Sequence, residues 1–158
     1  MVDQPDVTVR PVPHEVADRL ASHGLHPLIA RLMAARGVSD PAELSADWKS
    51  LITPNQLSHI DEAALALAQA IEAGKRLLIV ADYDCDGATA CAVGLRGLRA
   101  MGACVDYLVP NRFETGYGLS PEVVELATDH RGGKPDLIVT VDNGIASVDG
   151  VQAAKDHG

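Results

Sequence analysis

The chain has 158 residues, of which 47% are hydrophobic and 22% charged, a composition typical of a globular protein. Its formal net charge is −9, whereas a free-standing nucleic-acid-binding protein is usually basic because phosphate contacts supply most of its affinity. The sequence has no run of 18 apolar residues and its start does not resemble a signal peptide, so we expect no membrane span. The cysteines are odd in number and not spaced as a zinc motif, which favours free thiols in the cytoplasm.

The first part of the sequence predicts a tail followed by short helices. Residues 1–13 contain three prolines and have no periodicity. Segments 14–24 and 26–37 each have a helical pattern that ends at a glycine, and the run 39–41, Ser-Asp-Pro, is typical of a further helical start. We therefore expect residues 1–60 to form a tail and a small helical region.

From residue 61 the pattern changes to that of an α/β domain. A helix rich in alanine and leucine is predicted first, and short apolar segments then alternate with helical ones. This alternation predicts an open parallel sheet with flanking helices, and we expect the sheet to be incomplete because three strands are few for this class. The predicted strands are 76–82, 103–110 and 136–144, and the helices are 61–73, 87–102, 120–130 and 145–158, with a loop at 111–119.

Four aspartates lie where predicted strands end. Asp82, Asp84 and Asp86 occupy alternate positions after the first strand and are followed by Gly87, and Asp142 lies near the end of the third strand. Ligands of open α/β sheets gather beyond the carboxyl ends of the strands, so the four carboxylates converge if these strands are neighbours. Close carboxylates raise one another's pKa unless cations neutralise them, and oxygen ligands suit Mg²⁺ or Mn²⁺. The pattern predicts a two-metal site suited to phosphoryl displacement.

Three other interpretations of the acidic run are weaker. A calcium EF-hand loop that began at Asp82 would need a bidentate glutamate at its twelfth position, where the sequence has Val93. In a phosphatase with an aspartyl nucleophile, Asp82 would be superfluous and Thr89 would lie one place too late. A solvated turn is the third interpretation, but charges grouped at two strand ends are more typical of a site.

Three segments, LLIVADYDCDGATA, YLVPNRFETGYGLS and LIVTVDNGIAS, closely resemble in order and spacing the bacterial RecJ exonucleases of the DHH phosphoesterase superfamily. The upstream segments LHPLIARLMAARGVSDPAEL and DEAALALAQAIEAGKRLLIV resemble the N-terminal part of that family. The resemblance covers roughly residues 20–158. It implies a DHH-type fold in which residues 61–158 form the N-terminal part of the phosphoesterase domain. It also implies a metal-dependent exonuclease that degrades single-stranded DNA from the 5′ end in repair and recombination.

The resemblance also implies roles for individual residues. Asp82, Asp84, Asp86 and Asp142 are implied as ligands of Mn²⁺ or Mg²⁺, with Asp142 between two metals. Asp84, Asp86 and Asp142 are the implied catalytic residues, and many relatives carry histidine in place of Asp82. Single-stranded DNA is the implied substrate, and a single-strand-binding protein or a helicase is an expected partner.

Three residues of the predicted loop are candidates for substrate binding. The planar guanidinium of Arg112 could bind a 5′-phosphate or form a structural salt bridge to Glu114 or a strand-end carboxylate. Tyr117 could stack on a base or pack beneath a turn formed by its flanking glycines. Asn111 is placed beside Arg112 in the same segment. After the third strand, Asn143 and the following glycine are expected to form the tight turn that aims Asp142.

The sequence departs from the family pattern in several respects, which include the absence of a later aspartate motif, of a second catalytic subdomain and of an OB-type DNA-binding domain. The Asp-His-His motif of the family does not occur, because Asp129-His130 precedes a predicted strand and continues with Arg131, and Asp156-His157 is followed by glycine. We therefore expect a truncated chain with little or no nuclease activity by itself. The negative net charge would then reflect basic DNA-binding parts that lie elsewhere.

Two alternative functions remain open. One is a small-nucleotide phosphodiesterase of the same superfamily, for example one that cleaves cyclic dinucleotides, but the N-terminal helical region and the segment PNRFETGYGLS argue against it. The other is a non-catalytic scaffold in a repair complex. The intact set of four aspartates argues against a purely structural role, because clustered charge is costly to maintain.

Overall fold

A computed structural model describes residues 8–158, and these divide into two compact units, one that ends at Leu57 and one that spans Ser58–Gly158. Residues 1–7 of the predicted tail lie outside the described part, and residues 8–13 form no helix or strand. The predicted division into domains at residues 60 and 61 stays a prediction. No helix within the described residues is both long enough and apolar enough to cross a membrane.

The first unit contains two α-helices, α1 (His14–Ser22) and α2 (Pro27–Ala34). Each helix is followed by a glycine with positive φ, Gly24 at 97° and Gly37 at 89°, which is the conformation of the predicted glycine stops. The two helices share a core of small and aliphatic side chains, whose buried members are Ala17, Leu20, Ala30 and Ala34. Three short 3₁₀ turns follow at Pro41–Leu44, Trp48–Ser50 and Pro54–Gln56.

The second unit is an open three-stranded parallel sheet with flanking helices, as the sequence predicts. Its strands are β1 (Arg76–Val80), β2 (Cys104–Leu108) and β3 (Leu137–Thr140), in the order β2-β1-β3. Both pairings of β1 are parallel, so the first and third strands are neighbours. The helices are α3 (Ile60–Glu72), α4 (Cys85–Ala100), α5 (Arg112–Thr115), α6 (Pro121–Thr128) and α7 (Val148–Asp156).

The central position of β1 follows from its sequence. Residues 77–80 are all apolar and buried, which suits a strand covered on both faces of the sheet. Alternate side chains enter two cores because side chains of a strand point to opposite faces. Leu77 and Ile79 pack with Ala70 and Cys91, and the other core joins Leu78, Val80, Val123, Val124 and Ala127.

The register places the ends of two strands side by side. Val80, the last residue of β1, pairs with Thr140, the last residue of β3. The chain leaves both strands at the same edge of the sheet, where Asp82 follows β1 and Asp142 follows β3. The fold therefore brings the acidic segments together at this edge.

Several local predictions need correction. Strands β1 and β3 end at Val80 and Thr140, before the predicted ends at residues 82 and 144, and α7 begins at Val148 and not at residue 145. Helix α4 begins at Cys85, two residues before the predicted start, because the side chain of Asp84 caps it by accepting a hydrogen bond from the Gly87 amide at 3.1 Å. The predicted loop at 111–119 contains the one-turn helix α5, capped by Asn111. The predicted N-cap of α6 is confirmed, since Ser120 accepts a hydrogen bond from the Val123 amide at 3.3 Å.

Candidate metal centre

Three of the four predicted aspartates form one cluster at the carboxyl edge of the sheet. Asp82, Asp84 and Asp142 each present a carboxylate oxygen, and these oxygens all lie within 4.8 Å of one another. Asp82 is buried, with 6% of its surface exposed, whereas Asp84 and Asp142 are exposed. Asp86 lies outside this cluster, in the first turn of α4. Its predicted role as a ligand stays a prediction.

The close approach of α4 to the end of β1 depends on a glycine. A Cβ atom at Gly87 would lie 2.5 Å from the carbonyl oxygen of Asp82 and 2.7 Å from its Cβ. Such distances are too short for any side chain, so the sequence Asp-x-Asp-x-Asp-Gly lets the first helical turn pack directly on Asp82. This packing holds the Asp84 cap beside the Asp82 carboxylate.

Asp142 is held by an unusual backbone conformation. Its φ is 59°, in the left-handed region that non-glycine residues rarely adopt and that aspartate and asparagine tolerate best. The next residue, Asn143, donates from its side-chain amide to the carbonyls of Val80 at 3.3 Å and Val141 at 3.0 Å. The Asn-Gly bend therefore fixes the direction in which Asp142 leaves the sheet.

The cluster carries more negative than positive charge. Loss of surrounding water and the charges of Asp84, Asp86 and Asp82 together raise the pKa of Asp142 above its ordinary value. The pKa of Asp82 is lowered, chiefly because it accepts hydrogen bonds from the Arg112 guanidinium. The three carboxylates of the cluster and the Arg112 guanidinium leave two negative charges when all are ionised. Oxygen ligands with this excess of charge fit a divalent cation such as Mg²⁺ or Mn²⁺.

Arg112, a predicted substrate-binding residue, pairs with the carboxylates. Its Nε donates to Asp82 Oδ1 at 2.9 Å and its Nη2 donates to Asp82 Oδ2, with a further contact of 3.2 Å to Asp84 Oδ2. The guanidinium carbon lies 4.4 Å from the ring centre of Tyr83 and 4.9 Å from that of Tyr117. Of the salt bridges considered from the sequence, the one to strand-end carboxylates is therefore present, whereas Glu114 instead accepts from Asn111.

The other two predicted substrate-binding residues have structural contacts. Asn111 caps α5 by accepting from the Phe113 amide at 3.1 Å. The hydroxyl of Tyr117 donates to the main-chain carbonyl of Asp142 at 2.8 Å, and 63% of the tyrosine is exposed. Its ring is therefore not packed beneath the glycine turn, and it borders the acidic cluster. The contact of Tyr83 with Arg112 was not foreseen, because sequence spacing does not indicate where α5 begins.

Comparisons with known proteins place the chain in a family. Residues 76–158, over half of the chain, match the family described as "DHH family, N-terminal domain". Over 135 residues the chain is 51% identical to the single-stranded-DNA-specific exonuclease RecJ of Salmonella typhimurium, a match that covers 85% of this chain and 23% of that relative. It is 48% identical over 145 residues to RecJ of Escherichia coli, which covers 91% of this chain and 24% of the relative.

Solved structures give the same result. A crystal structure of exonuclease RecJ bound to manganese superposes with a TM-score of 0.57 at 36% identity, over 67% of this chain and 26% of that one. A crystal structure of RecJ in complex with Mn²⁺ from Thermus thermophilus superposes with a TM-score of 0.55 at 27% identity, over 95% of this chain and 20% of that one. The chain thus spans about a quarter of the length of the curated relatives it matches.

Proposed function

The chain belongs to the DHH family, and from this premise we propose that it holds divalent metal ions for the hydrolysis of phosphodiester bonds in single-stranded DNA. The observation that supports this most directly is the meeting of Asp84 and Asp142, which reach one point from the ends of two neighbouring strands. Loss of surrounding water raises the pKa of Asp142 most, and the negative charge of the neighbouring aspartates raises it further. Mn²⁺ or Mg²⁺ would neutralise that charge, and the solved RecJ structures are described as bound to manganese.

The proposed roles follow from the contacts of each side chain. Asp84 and Asp142 would be the first ligands of the metal, and Asp86 would complete the site from the first turn of α4. A divalent ion there would act as a Lewis acid that polarises a phosphoryl oxygen and favours deprotonation of a water. The guanidinium of Arg112 borders the same cluster and would bind a phosphate of the substrate.

Single-stranded DNA is the substrate we propose, with hydrolysis from the 5′ end. The names of the relatives support this choice, and the exposed ring of Tyr117 beside the cluster offers a surface on which an unpaired base could stack. A single-strand-binding protein or a helicase would be a natural partner for such a reaction. A cyclic-dinucleotide phosphodiesterase is less favoured, because the relatives above are single-strand exonucleases.

We also propose that residues 1–158 by themselves bind metal but hydrolyse DNA slowly. These 158 residues contain no Asp-His-His run, which the resemblance implies as a further set of metal ligands. The net charge of −9 would moreover oppose DNA binding, since phosphate contacts supply most of the affinity for nucleic acid.

Calorimetric titration with Mn²⁺ tests the metal site. We expect the wild-type chain to bind, and Asp84→Asn and Asp142→Asn to weaken binding by more than about 100-fold, beyond the effect of typical outer-shell partners. Asp61→Asn, the same substitution at an exposed position of α3, is the matched control and should bind like wild type. Absence of binding at millimolar Mn²⁺, or equal weakening in the control, would contradict the proposal.

The substrate class is tested separately by binding. In the presence of Mg²⁺, chemical-shift changes should be larger with a 5′-phosphorylated single-stranded oligonucleotide than with a cyclic dinucleotide, and they should diminish in Arg112→Gln. Stronger and Arg112-independent changes with the cyclic dinucleotide would favour the alternative function.

A further inference from the structure

We infer that Asp82 is a positioning residue that holds Arg112 for the substrate phosphate, and that it is not a ligand of the metal. The substrate phosphate in this inference rests on the proposed function, whereas the pairing of Asp82 with Arg112 does not. The inference narrows the sequence prediction, in which all four aspartates were metal ligands.

Both carboxylate oxygens of Asp82 are already engaged. Oδ1 accepts from the Tyr83 amide at 2.8 Å and from Arg112 Nε at 2.9 Å, and Oδ2 accepts from Arg112 Nη2. This is the bidentate fork in which a guanidinium matches a carboxylate, and it is the strongest geometry of such pairs. Asp82 is also buried, so a metal that bound it would compete with the arginine for its carboxylate.

The other two carboxylates of the cluster are more accessible. The side chain of Asp84 is 50% exposed, and its Oδ2 has a single contact of 3.2 Å to Arg112. Asp142 is exposed and forms no salt bridge within residues 8–158. A cation that approaches the edge of the sheet therefore meets Asp84 and Asp142 first.

The pairing leaves Arg112 suited to a further ligand. Its Nε and Nη2 are used by the carboxylates, whereas Nη1 donates to no acceptor in the described part of the chain. Tyr83 and Tyr117 lie close to the guanidinium, and the Tyr117 hydroxyl is tied to the Asp142 carbonyl. The guanidinium is thus fixed beside Asp84 with one nitrogen available, and its planar donors match the oxygens of a phosphate.

The test uses the Nε–Hε resonance of Arg112 in the wild-type chain, identified by its absence in Arg112→Lys. We expect this resonance to be that of a salt-bridged arginine, and Asp82→Asn should move it toward the position of free arginine even without metal. During titration with Mg²⁺, the carboxyl ¹³C resonances of Asp84 and Asp142 should shift while the Arg112 resonance stays in place.

Each contrary outcome has a distinct meaning. If the Arg112 resonance moves to the free position as Mg²⁺ saturates, and Asp82 shifts with the other carboxyls, Asp82 is a ligand and the inference is wrong. If Asp82→Asn leaves the Arg112 resonance unchanged, the positioning role is wrong. If Mg²⁺ shifts neither Asp84 nor Asp142, it is the proposed function that fails.

Calorimetry with Mn²⁺ adds an independent measurement. In Asp82→Asn, Arg112 keeps only Asp84 as a partner and competes with the metal for it, so we expect the affinity to fall by about fivefold or less, the equivalent of a surface ion pair. Adding Arg112→Gln to Asp82→Asn should restore the affinity. If Asp82 were a true ligand, the Mn²⁺ affinity would stay low in the double variant. That result would overturn the inference.

Discussion

The side-chain amide of Asn143 donates a hydrogen bond to the main-chain carbonyl of Val80 at 3.3 Å. Val80 ends β1, and Asn143 lies in the bend after β3, so this bond joins the two strand ends from which the acidic side chains emerge. A second bond to the carbonyl of Val141 at 3.0 Å fixes the bend itself. The main-chain amide of Val141 donates to the same Val80 carbonyl at 3.2 Å, so two hydrogen bonds hold the strand ends that carry Asp82 and Asp142.

Replacement of Asn143 by alanine should weaken both the fold and the metal site. The carbonyl of Val141 would lose the Asn143 donor, and that of Val80 would keep only the main-chain amide of Val141, which together costs about 1 kcal/mol in the free energy of unfolding. Because Asp142 would no longer be aimed at the cluster, we expect weaker Mn²⁺ binding as well. Urea unfolding and calorimetry measure the two effects. Asn55→Ala, an exposed substitution in the first unit, is the control and should change the unfolding free energy by less than about 0.5 kcal/mol.

Two glycines of α4 should respond in opposite ways to alanine. At Gly87 the new Cβ would lie 2.5 Å from the Asp82 carbonyl oxygen, so the Asp82 segment or the helix must move, at a cost of about 1–3 kcal/mol and with weaker metal binding. At Gly97 no atom lies within 4 Å of the new Cβ, and alanine should stabilise the helix by up to about 1 kcal/mol. Thermal unfolding measures the stability of the two variants relative to wild type. Equal stability of the two variants would show that the packing of α4 on Asp82 is not close enough to exclude a side chain at residue 87.

The convergence of the aspartates was predictable because it follows from topology. Parallel strands that are neighbours end at one edge, and the alternation of strands and helices gives that arrangement without knowledge of any side chain. Strand order was the missing fact, and the order β2-β1-β3 supplies it. The fold class and the meeting of Asp84 with Asp142 could therefore be inferred from the sequence.

A strand-end carboxylate was one of the partners considered for Arg112, but the sequence alone could not choose between it, Glu114 and a substrate phosphate. The partners depend on where α5 begins and on how the chain turns after Pro110, and a one-turn helix leaves no periodicity in the sequence. The cap formed by Asp84 was missed for a related reason, because a carboxylate that looks like a ligand can also end up as an N-cap. Local hydrogen bonding in short segments decides such details.

Removal of the Tyr117 hydroxyl should loosen Asp142. In Tyr117→Phe the ring beside Arg112 is kept, but the bond of 2.8 Å to the Asp142 carbonyl is lost. We expect Mn²⁺ affinity to fall by about two- to tenfold, the equivalent of one hydrogen bond. Tyr83→Phe makes the same chemical change on the other ring near Arg112, where the hydroxyl has no hydrogen-bond partner in residues 8–158, and it should leave the affinity unchanged. Identical Mn²⁺ affinities of the two variants would show that the Tyr117 hydroxyl does not contribute to the metal site.

The ion pair between Asp82 and Arg112 should make the free energy of unfolding depend on pH in the acidic range. Arg112 lowers the pKa of Asp82 in the folded state, so the pair stabilises the fold at pH values above the pKa of an unfolded aspartate, about 3.9. This stabilisation should be lost as the pH falls through the lowered pKa. Measured from pH 7 to pH 2, the unfolding free energy of wild type should therefore fall more steeply at the acid end than that of Asp82→Asn. Parallel curves would mean that the pair contributes no pH-dependent stability.

Asp142 should affect the pH dependence of the unfolding free energy in the opposite direction to Asp82. Its pKa is raised in the folded state by loss of water and by the neighbouring carboxylates. The ionised form of Asp142 destabilises the metal-free fold at neutral pH. This penalty appears as the pH rises from the ordinary pKa of an unfolded aspartate through the raised pKa of the folded state. Asp142→Asn removes the charge and keeps a residue that tolerates φ of 59°, so the metal-free variant should melt at a higher temperature than wild type at pH 7.

Addition of Mn²⁺ should reverse that order. A ligand at 100 times its dissociation constant stabilises the state that binds it by about 2.7 kcal/mol, and only the chain with an intact Asp142 gains this stabilisation. Melting curves of both proteins with and without Mn²⁺ therefore give a crossed pattern if Asp142 is maintained for the metal at the expense of the fold. If the variant is less stable in both conditions, Asp142 instead has a structural role.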